Sequence, residues 1–166
     1  ADGAHWLASL DVKPVGKPKL ISVFTYPHAP LHCLVDQLQQ TGQRYHLLAP
    51  STQPVPSQPA RDQVTWQSIP FLSQTDYDKL LWSCDVNLVR GEDSFVRAIW
   101  AGQPLLWQIY PQKDGAHHTK LKAWLELANL PSAVAQAMHE WANGKLITDL
   151  TPFLAGNGLQ QWCQSS

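Results

Sequence analysis

This chain of 166 residues has few cysteines and almost no net charge. Its three cysteines, Cys33, Cys84 and Cys163, are widely separated and odd in number, which argues against a disulfide framework and a paired-cysteine zinc site. Twelve basic and 13 acidic residues give a formal net charge of −1, which provides no long-range field to attract nucleic acid or an anionic membrane. We therefore expect a cytoplasmic protein with reduced thiols that binds neither nucleic acid nor membrane.

Long apolar runs are also absent. No stretch approaches the roughly 20 residues that span a bilayer, and the first residues lack a basic region followed by an apolar one. The chain begins at Ala1 and not at a methionine, which leads us to expect a piece of a longer protein. With 44% hydrophobic residues, it is predicted to form one domain over 1–166.

Short apolar runs alternate with helical periodicity after a lead, 1–18, that is predicted to be irregular. The alternation predicts an α/β fold, a Rossmann-like and mostly parallel sheet with helices on both faces. A proline-rich surface loop is expected around 50–59, and helices are expected beyond 116, including the C-terminal region 131–166. Strands are predicted at 20–24, 45–49, 64–69, 86–89 and 104–110, and helices around 31–38, 75–82 and 95–100.

Parallel α/β sheets bind ligands at the carboxyl ends of their strands. Polar and aromatic residues end or follow four of the predicted strands, so we expect them to converge on one rim of the sheet. These candidate residues are Phe24, Tyr26, Phe71, Gln74, Arg90, Glu92, Asp93, Ser94 and Tyr110.

The turn between the fourth predicted strand and the helix after it contains the charged candidate residues. First-turn N–H groups of a helix lack intrahelical partners and favour an anion such as a phosphate. Glu92 and Asp93 would either accept hydrogen bonds from sugar hydroxyls or pair with Arg90, which would leave Ser94 and the N–H groups for a diphosphate. The alternative is that these acidic residues only brace the start of the helix.

Several motifs together resemble the EarP family, the protein-arginine rhamnosyltransferases of elongation factor P. The most specific is Arg-Gly-Glu-Asp-Ser-Phe at 90–95, and the resemblance extends from about Leu20 to the C-terminus. It implies the C-terminal, donor-binding half of a glycosyltransferase-B architecture whose N-terminal acceptor domain is absent here. The other motifs are 24–27, 70–74, 80–85 and 107–112.

The resemblance implies that the chain binds dTDP-β-L-rhamnose, while the N-terminal half docks elongation factor P and supplies the general base. Transfer to arginine would be inverting and would need no metal or other cofactor, and the fragment alone would be inactive. A stand-alone nucleotide-binding or regulatory module is the alternative. The resemblance implies that Phe24 and Tyr26 flank the donor and that Phe71 and Gln74 contact the thymine or the deoxyribose. It also implies that Arg90, Glu92 and Asp93 activate the donor. The residues implied to surround the diphosphate and rhamnose are Arg90, Glu92, Asp93, Ser94 and Tyr110.

Two histidines, His117 and His118, follow the predicted polar turn 111–115. One of them could donate a hydrogen bond to a phosphate or sugar; otherwise both face solvent. A metal site is disfavoured, because adjacent side chains diverge on a helix and no third ligand has suitable spacing.

Overall fold

The computed structural model describes residues 2–53, 55 and 63–163. Five strands form one parallel sheet with the spatial order β3-β2-β1-β4-β5. The strands are β1 Lys19–Val23, β2 Tyr45–Pro50, β3 Val64–Ile69, β4 Val86–Arg90 and β5 Leu105–Gln108. The helices are α1 Asp2–Ser9, α2 Leu31–Gln40, α3 Gln74–Ser83, α4 Asp93–Ala101, α5 Ala116–Ala128, α6 Ser132–Ala142, α7 Thr151–Leu154 and α8 Gly158–Trp162.

Strand β1 lies in the middle of the sheet, where Ile21 is in register with Leu47 of β2 and Val86 of β4. β2 and β3 extend the sheet on one side of β1, and β4 and β5 extend it on the other. The strand order therefore reverses between β1 and β4, and α/β sheets bind ligands at the carboxyl side of such a point.

Helices cover both faces of the sheet. Leu47 packs in the larger apolar cluster, which contains Leu34 and Leu38 of α2, whereas its neighbour Leu48 packs in a second cluster with Leu7 of α1 and Leu80 of α3. Successive side chains of a strand point to opposite faces, so each cluster lies on its own side. The predicted Rossmann-like α/β fold is confirmed.

Local signals set the ends of two helices. The Ser73 hydroxyl accepts a hydrogen bond from the Asp76 N–H at 3.2 Å, so Ser73 is the N-cap of α3. Gly102 ends α4 in the left-handed region at φ 78°, the conformation that favours glycine at the end of a helix. One residue sets each of these helix ends, a serine at the start of α3 and a glycine at the end of α4.

The prediction of an irregular lead over 1–18 was wrong in its first half, where α1 forms. Leu7 and Val12 are only 5% and 3% exposed and pack in the cluster that contains Leu80 of α3. An eight-residue helix has little stability of its own, so its tertiary packing decides the conformation.

The apolar repeat predicted for α4 is only partly its buried face. Phe95 is buried and stacks on Trp107 with 3.6 Å between ring centroids, but Val96, Ile99 and Trp100 are 40%, 42% and 73% exposed. The helix instead turns Ser94, Phe95 and Ala98 inward. Trp100 therefore lies outside the core.

The C-terminal region is helical, as predicted, and its last part forms two short helices, α7 and α8. Trp141 and Trp162 are buried, and the Tyr45 hydroxyl donates to the Leu154 carbonyl. Part of the predicted proline-rich loop, including Pro54, Pro56 and Pro59, and the last three residues, 164–166, lie outside the described residues. None of the helices in the described part is long and apolar enough to cross a membrane.

Glu140 holds the chain that leaves α6. One carboxylate oxygen accepts the N–H groups of Ile147 and Thr148 at 2.9 and 2.8 Å, and the other accepts the Thr148 hydroxyl at 2.8 Å. Burial raises the pKa of Glu140, but these hydrogen bonds outweigh it, so the pKa is below that of an ordinary glutamate.

This lowered pKa predicts a pH dependence of stability. The contribution of Glu140 is present above the unfolded pKa of about 4.3 and is lost as the pH falls through the folded value. We expect Glu140→Gln to reduce the melting temperature at pH 7 and to lose less stability than the wild type between pH 5 and 3. Thermal unfolding across that range measures both, with Glu126→Gln, at an exposed position of α5, as the control. Equal pH profiles for wild type and Glu140→Gln would contradict the assignment.

Candidate functional site

A cavity of about 340 Å³ opens at the carboxyl ends of β1, β3 and β4. It lies where the strand order reverses, and its volume falls within the range of small-molecule sites, about 300 to 1,000 Å³. The segment after β1, the β3–α3 connection and the turn before α4 form its walls. Its lining residues are Ser22, Val23, Phe24, Tyr26, Pro50, Ile69, Pro70, Phe71, Leu72, Gln74, Tyr77, Leu80, Arg90, Gly91, Glu92, Asp93 and Ser94.

Eight of the nine residues singled out from the sequence line this cavity. The ninth, Tyr110, is 61% exposed just beyond β5, and its ring meets the Tyr26 ring edge-on with 5.8 Å between centroids. The structure therefore brings the candidate residues together at one corner of the sheet, while their individual roles stay predictions.

Arg90 provides the positive charge of the cavity. Its guanidinium carbon lies 4.0 Å from the centroid of the Phe24 ring and 4.9 Å from that of Tyr26, so two aromatic faces flank the cation. One guanidinium nitrogen donates to the Thr25 carbonyl at 3.4 Å. Among the described residues, no carboxylate pairs with Arg90, and most of its five N–H donors remain available to a ligand.

The turn after Arg90 depends on a glycine. Gly91 has φ 65°, a left-handed conformation, and a Cβ there would lie 3.3 Å from the Tyr26 hydroxyl. The Trp107 indole N–H donates to the Gly91 carbonyl at 2.6 Å, and the Gly91 N–H donates to the Gln108 carbonyl at 3.2 Å. Both backbone groups of Gly91 are thus hydrogen-bonded to residues of β5.

The Ser94 side chain closes the same turn. Its hydroxyl accepts the Arg90 N–H at 3.0 Å and donates to the Arg90 carbonyl, which corrects the expectation that this hydroxyl is left for a diphosphate. The backbone N–H groups of Asp93 and Ser94, by contrast, have no hydrogen-bond partner among the described residues. These first-turn N–H groups are the part of the helix start that is open to an anion.

The acidic residues pair with cations other than Arg90. Asp93 accepts a hydrogen bond from Arg97 at 3.1 Å, and Arg97 also pairs with Asp78 of α3 at 2.9 Å. Glu92 pairs with Lys120 of α5 at 3.0 Å. The suggested pairing of Arg90 with these carboxylates is therefore wrong, and Asp93 does brace the fold through Arg97.

The opposite wall is apolar and aromatic. Phe71 stands at the mouth with 87% of its surface exposed, and Gln74 lies in the first turn of α3. Tyr77, one turn further along α3, meets the Phe24 ring edge-on at 5.9 Å between centroids, and burial raises the pKa of its hydroxyl. Tyr77 was not among the candidate residues from the sequence, although its i+3 spacing from Gln74 could have placed it at the cavity.

The histidine pair does not line the cavity. His117 is buried, and its Nδ1 accepts the Gln112 N–H at 2.9 Å, so it fixes the turn after β5. The His118 ring lies 4.0 Å from it and is exposed. The expectation of a solvent-facing pair is wrong for His117.

Comparisons with known proteins agree with one another. The model of a family described as elongation factor P rhamnosyltransferase EarP matches residues 1–162. A protein-arginine rhamnosyltransferase of Pseudomonas aeruginosa is 44% identical over 148 residues, which cover 80% of this chain and 39% of that protein. One from Shewanella oneidensis is 44% identical over 101 residues, covering 60% of this chain and 26% of that protein.

A solved structure also matches, from work on EarP-mediated arginine glycosylation of translation elongation factor EF-P. It has a TM-score of 0.73 and 35% sequence identity, with 98% of this chain and 57% of the solved chain covered. The chain therefore spans well under two thirds of the length of these relatives.

Proposed function

The chain belongs to the EarP family of elongation factor P rhamnosyltransferases, and on that premise we propose that it is the donor-binding part of such an enzyme. Its ligand would be dTDP-β-L-rhamnose, and the enzyme's target would be an arginine of elongation factor P. The chain spans 39% of its Pseudomonas aeruginosa relative, and on this proposal the acceptor side would lie in the remaining length. Three free cysteines support a cytoplasmic location.

The observation that carries the proposal is the Arg90 guanidinium, which lines an aromatic cavity and pairs with no carboxylate in the part of the chain that the structure describes. Arg90 presents planar N–H donors that suit the paired oxygens of a diphosphate, and such charge-assisted hydrogen bonds are the strong ones. The first-turn N–H groups of Asp93 and Ser94 lie on the same turn and add the positive end of the α4 dipole.

The remaining walls suit the two ends of the donor. Phe71 offers an exposed ring face for thymine, and the Gln74 amide can donate to or accept from the base. On the other side, Glu92 at the rim would accept hydrogen bonds from rhamnose hydroxyls, and Tyr26 and Tyr110 would flank the sugar.

The reaction would be an inverting transfer. A guanidinium nitrogen of the acceptor attacks the anomeric carbon while the bond to the diphosphate oxygen breaks, and the growing negative charge is stabilised by Arg90 and the α4 N–H groups. A guanidinium has a pKa above 12, so a carboxylate must orient or deprotonate it. Both carboxylates that line the cavity are paired with cations, so the base would come from outside this chain.

On this proposal the chain alone performs no transfer, and the leaving group is stabilised without a metal. The alternative, a stand-alone nucleotide-binding module, shares the cavity but has no reason to prefer a thymidine diphosphate sugar. Ligand selectivity therefore separates the two.

Thermal unfolding tests the proposal. We expect dTDP-β-L-rhamnose at a hundred times its Kd to stabilise the fold by about 2.7 kcal/mol, a rise of about 5 to 11 °C for a chain of this size. Thymidine diphosphate should give a smaller rise and uridine diphosphate the smallest. Equal responses to both diphosphates and to the sugar conjugate would favour the stand-alone module, and no response to any would overturn the proposal.

A further inference from the structure

Two buried glutamines hold the peptide segment that carries the aromatic residues of the cavity. Gln108 of β5 is fully buried, and its side-chain oxygen accepts the Tyr26 N–H at 2.6 Å. Gln53, which follows β2, accepts the Thr25 N–H at 2.8 Å and donates its amide to the Thr25 hydroxyl at 2.8 Å. Two successive N–H groups are thus bound by side chains from opposite sides of β1.

These contacts take over where strand pairing ends. The Phe24 N–H still donates to the Leu88 carbonyl of β4 at 3.0 Å, but the next two N–H groups have left the sheet. Thr25 is completely buried, so its N–H needs an acceptor other than water. The side-chain oxygens of Gln53 and Gln108 accept the hydrogen bonds that the backbone of a neighbouring strand would otherwise accept.

The same segment sets the position of Arg90. Its guanidinium donates to the Thr25 carbonyl at 3.4 Å and lies between the Phe24 and Tyr26 rings. Gln108 acts on both sides of this arrangement, because its side chain binds Tyr26 while its backbone carbonyl accepts the Gly91 N–H at 3.2 Å. A shift of the segment would move the aromatic rings and the cation together.

We propose that Gln53 and Gln108 are positioning residues that hold Thr25 and Tyr26 so that Phe24, Tyr26 and Arg90 keep the geometry that binds the donor diphosphate. The inference rests on the proposed function and adds to it the residues on which the site's preorganisation depends. Neither glutamine needs to touch the ligand for this role.

The chain offers a matched control for a purely structural role. Gln37 of α2 is also buried, and it too bridges two backbone groups: its oxygen accepts the Leu150 N–H at 2.7 Å, and its amide donates to the Thr148 carbonyl at 2.9 Å. None of these three residues lines the cavity. Loss of this glutamine removes similar hydrogen bonds far from the donor site.

The experiment compares Gln53→Met, Gln108→Met and Gln37→Met in the 166-residue chain, because methionine has a similar volume without the amide. Calorimetric titration with dTDP-β-L-rhamnose should show a Kd about tenfold weaker for the first two variants, as for the loss of one hydrogen bond, and an unchanged Kd for the third. Amide hydrogen exchange should show faster exchange at Tyr26 in Gln108→Met and at Thr25 in Gln53→Met.

Unchanged affinity in both site variants would overturn the inference while leaving the proposed function intact. It would also be overturned if Gln37→Met weakened binding as much, because the loss would then follow general stability. A wild-type chain that binds no nucleotide sugar would overturn the proposed function together with this inference. Should Gln108→Met fail to fold, the affinity and exchange rates of Gln53→Met decide the outcome.

Discussion

Replacing Arg90 with methionine should weaken binding of dTDP-β-L-rhamnose by about 10- to 150-fold, because hydrogen bonds to a charged group contribute about 1.5 to 3 kcal/mol. Methionine keeps much of the aliphatic stem between Phe24 and Tyr26 but removes the charge and the N–H donors. The melting temperature without ligand should change little, since no carboxylate depends on Arg90 among the described residues. Calorimetric titration and thermal unfolding measure the two quantities.

Two further variants control this result. Arg44→Met removes the same charge at the amino end of β2, away from the cavity, and should leave the Kd unchanged. Arg90→Lys keeps the charge but loses the planar donor arrangement, so it should recover only part of the affinity. Unfolding of Arg90→Met would show that Arg90 braces the fold. A Kd equal to that of the wild type would show that Arg90 does not bind the diphosphate.

Gly158→Ala should destabilise the fold strongly, although it adds only one methyl group. A Cβ at Gly158 would lie 2.2 Å from the Pro152 carbonyl oxygen and 2.6 Å from the Phe153 Cα, and these are backbone atoms of α7 that cannot rotate away. Helices α7 and α8 would have to separate, which would loosen the packing of Leu154 and Trp162, now 2% and 1% exposed. We expect a loss of about 3 kcal/mol in the free energy of unfolding.

Urea denaturation measures this loss, and a neighbouring glycine provides the comparison. Gly156 also adopts an unusual conformation, φ 56°, but nothing lies within 4 Å of a Cβ built there. Gly156→Ala should therefore cost only the backbone strain, about 1 to 2 kcal/mol. If the two variants lose equal stability, steric contact between α7 and α8 is not the cause.

Much of the site could be predicted because its signals are local. Arg90, Gly91 and the start of α4 are consecutive in the chain, and a charged turn between a strand and a helix is recognisable without any partner. Phe24, Tyr26, Phe71 and Gln74 follow predicted strands, and parallel topology alone brings such positions to one edge.

Several of the errors arose where a partner is distant in sequence. Glu92 and Asp93 were candidates to pair with Arg90, but Glu92 meets Lys120, 28 positions away, and the Arg97 that holds Asp93 also binds Asp78, 19 positions away. Gln108 and Tyr26 are separated by 82 positions, so no local pattern could have paired them. The prediction of an irregular lead was wrong for the same reason, because Leu7 is buried in a cluster with Leu48 of β2 and Leu80 of α3, which come much later in the chain.

The amino-acid sequence by itself determined the alternation of strands and helices, the ends of α3 and α4, and the cationic corner at Arg90, because periodicity, capping and turn chemistry act over a few residues. Tertiary structure alone decided that Glu92 binds Lys120 and that Asp78 binds Arg97, which face of α4 is buried and how the glutamines hold the Thr25 and Tyr26 backbone. Those outcomes depend on distances between segments remote in the chain, which exist only once the sheet has assembled.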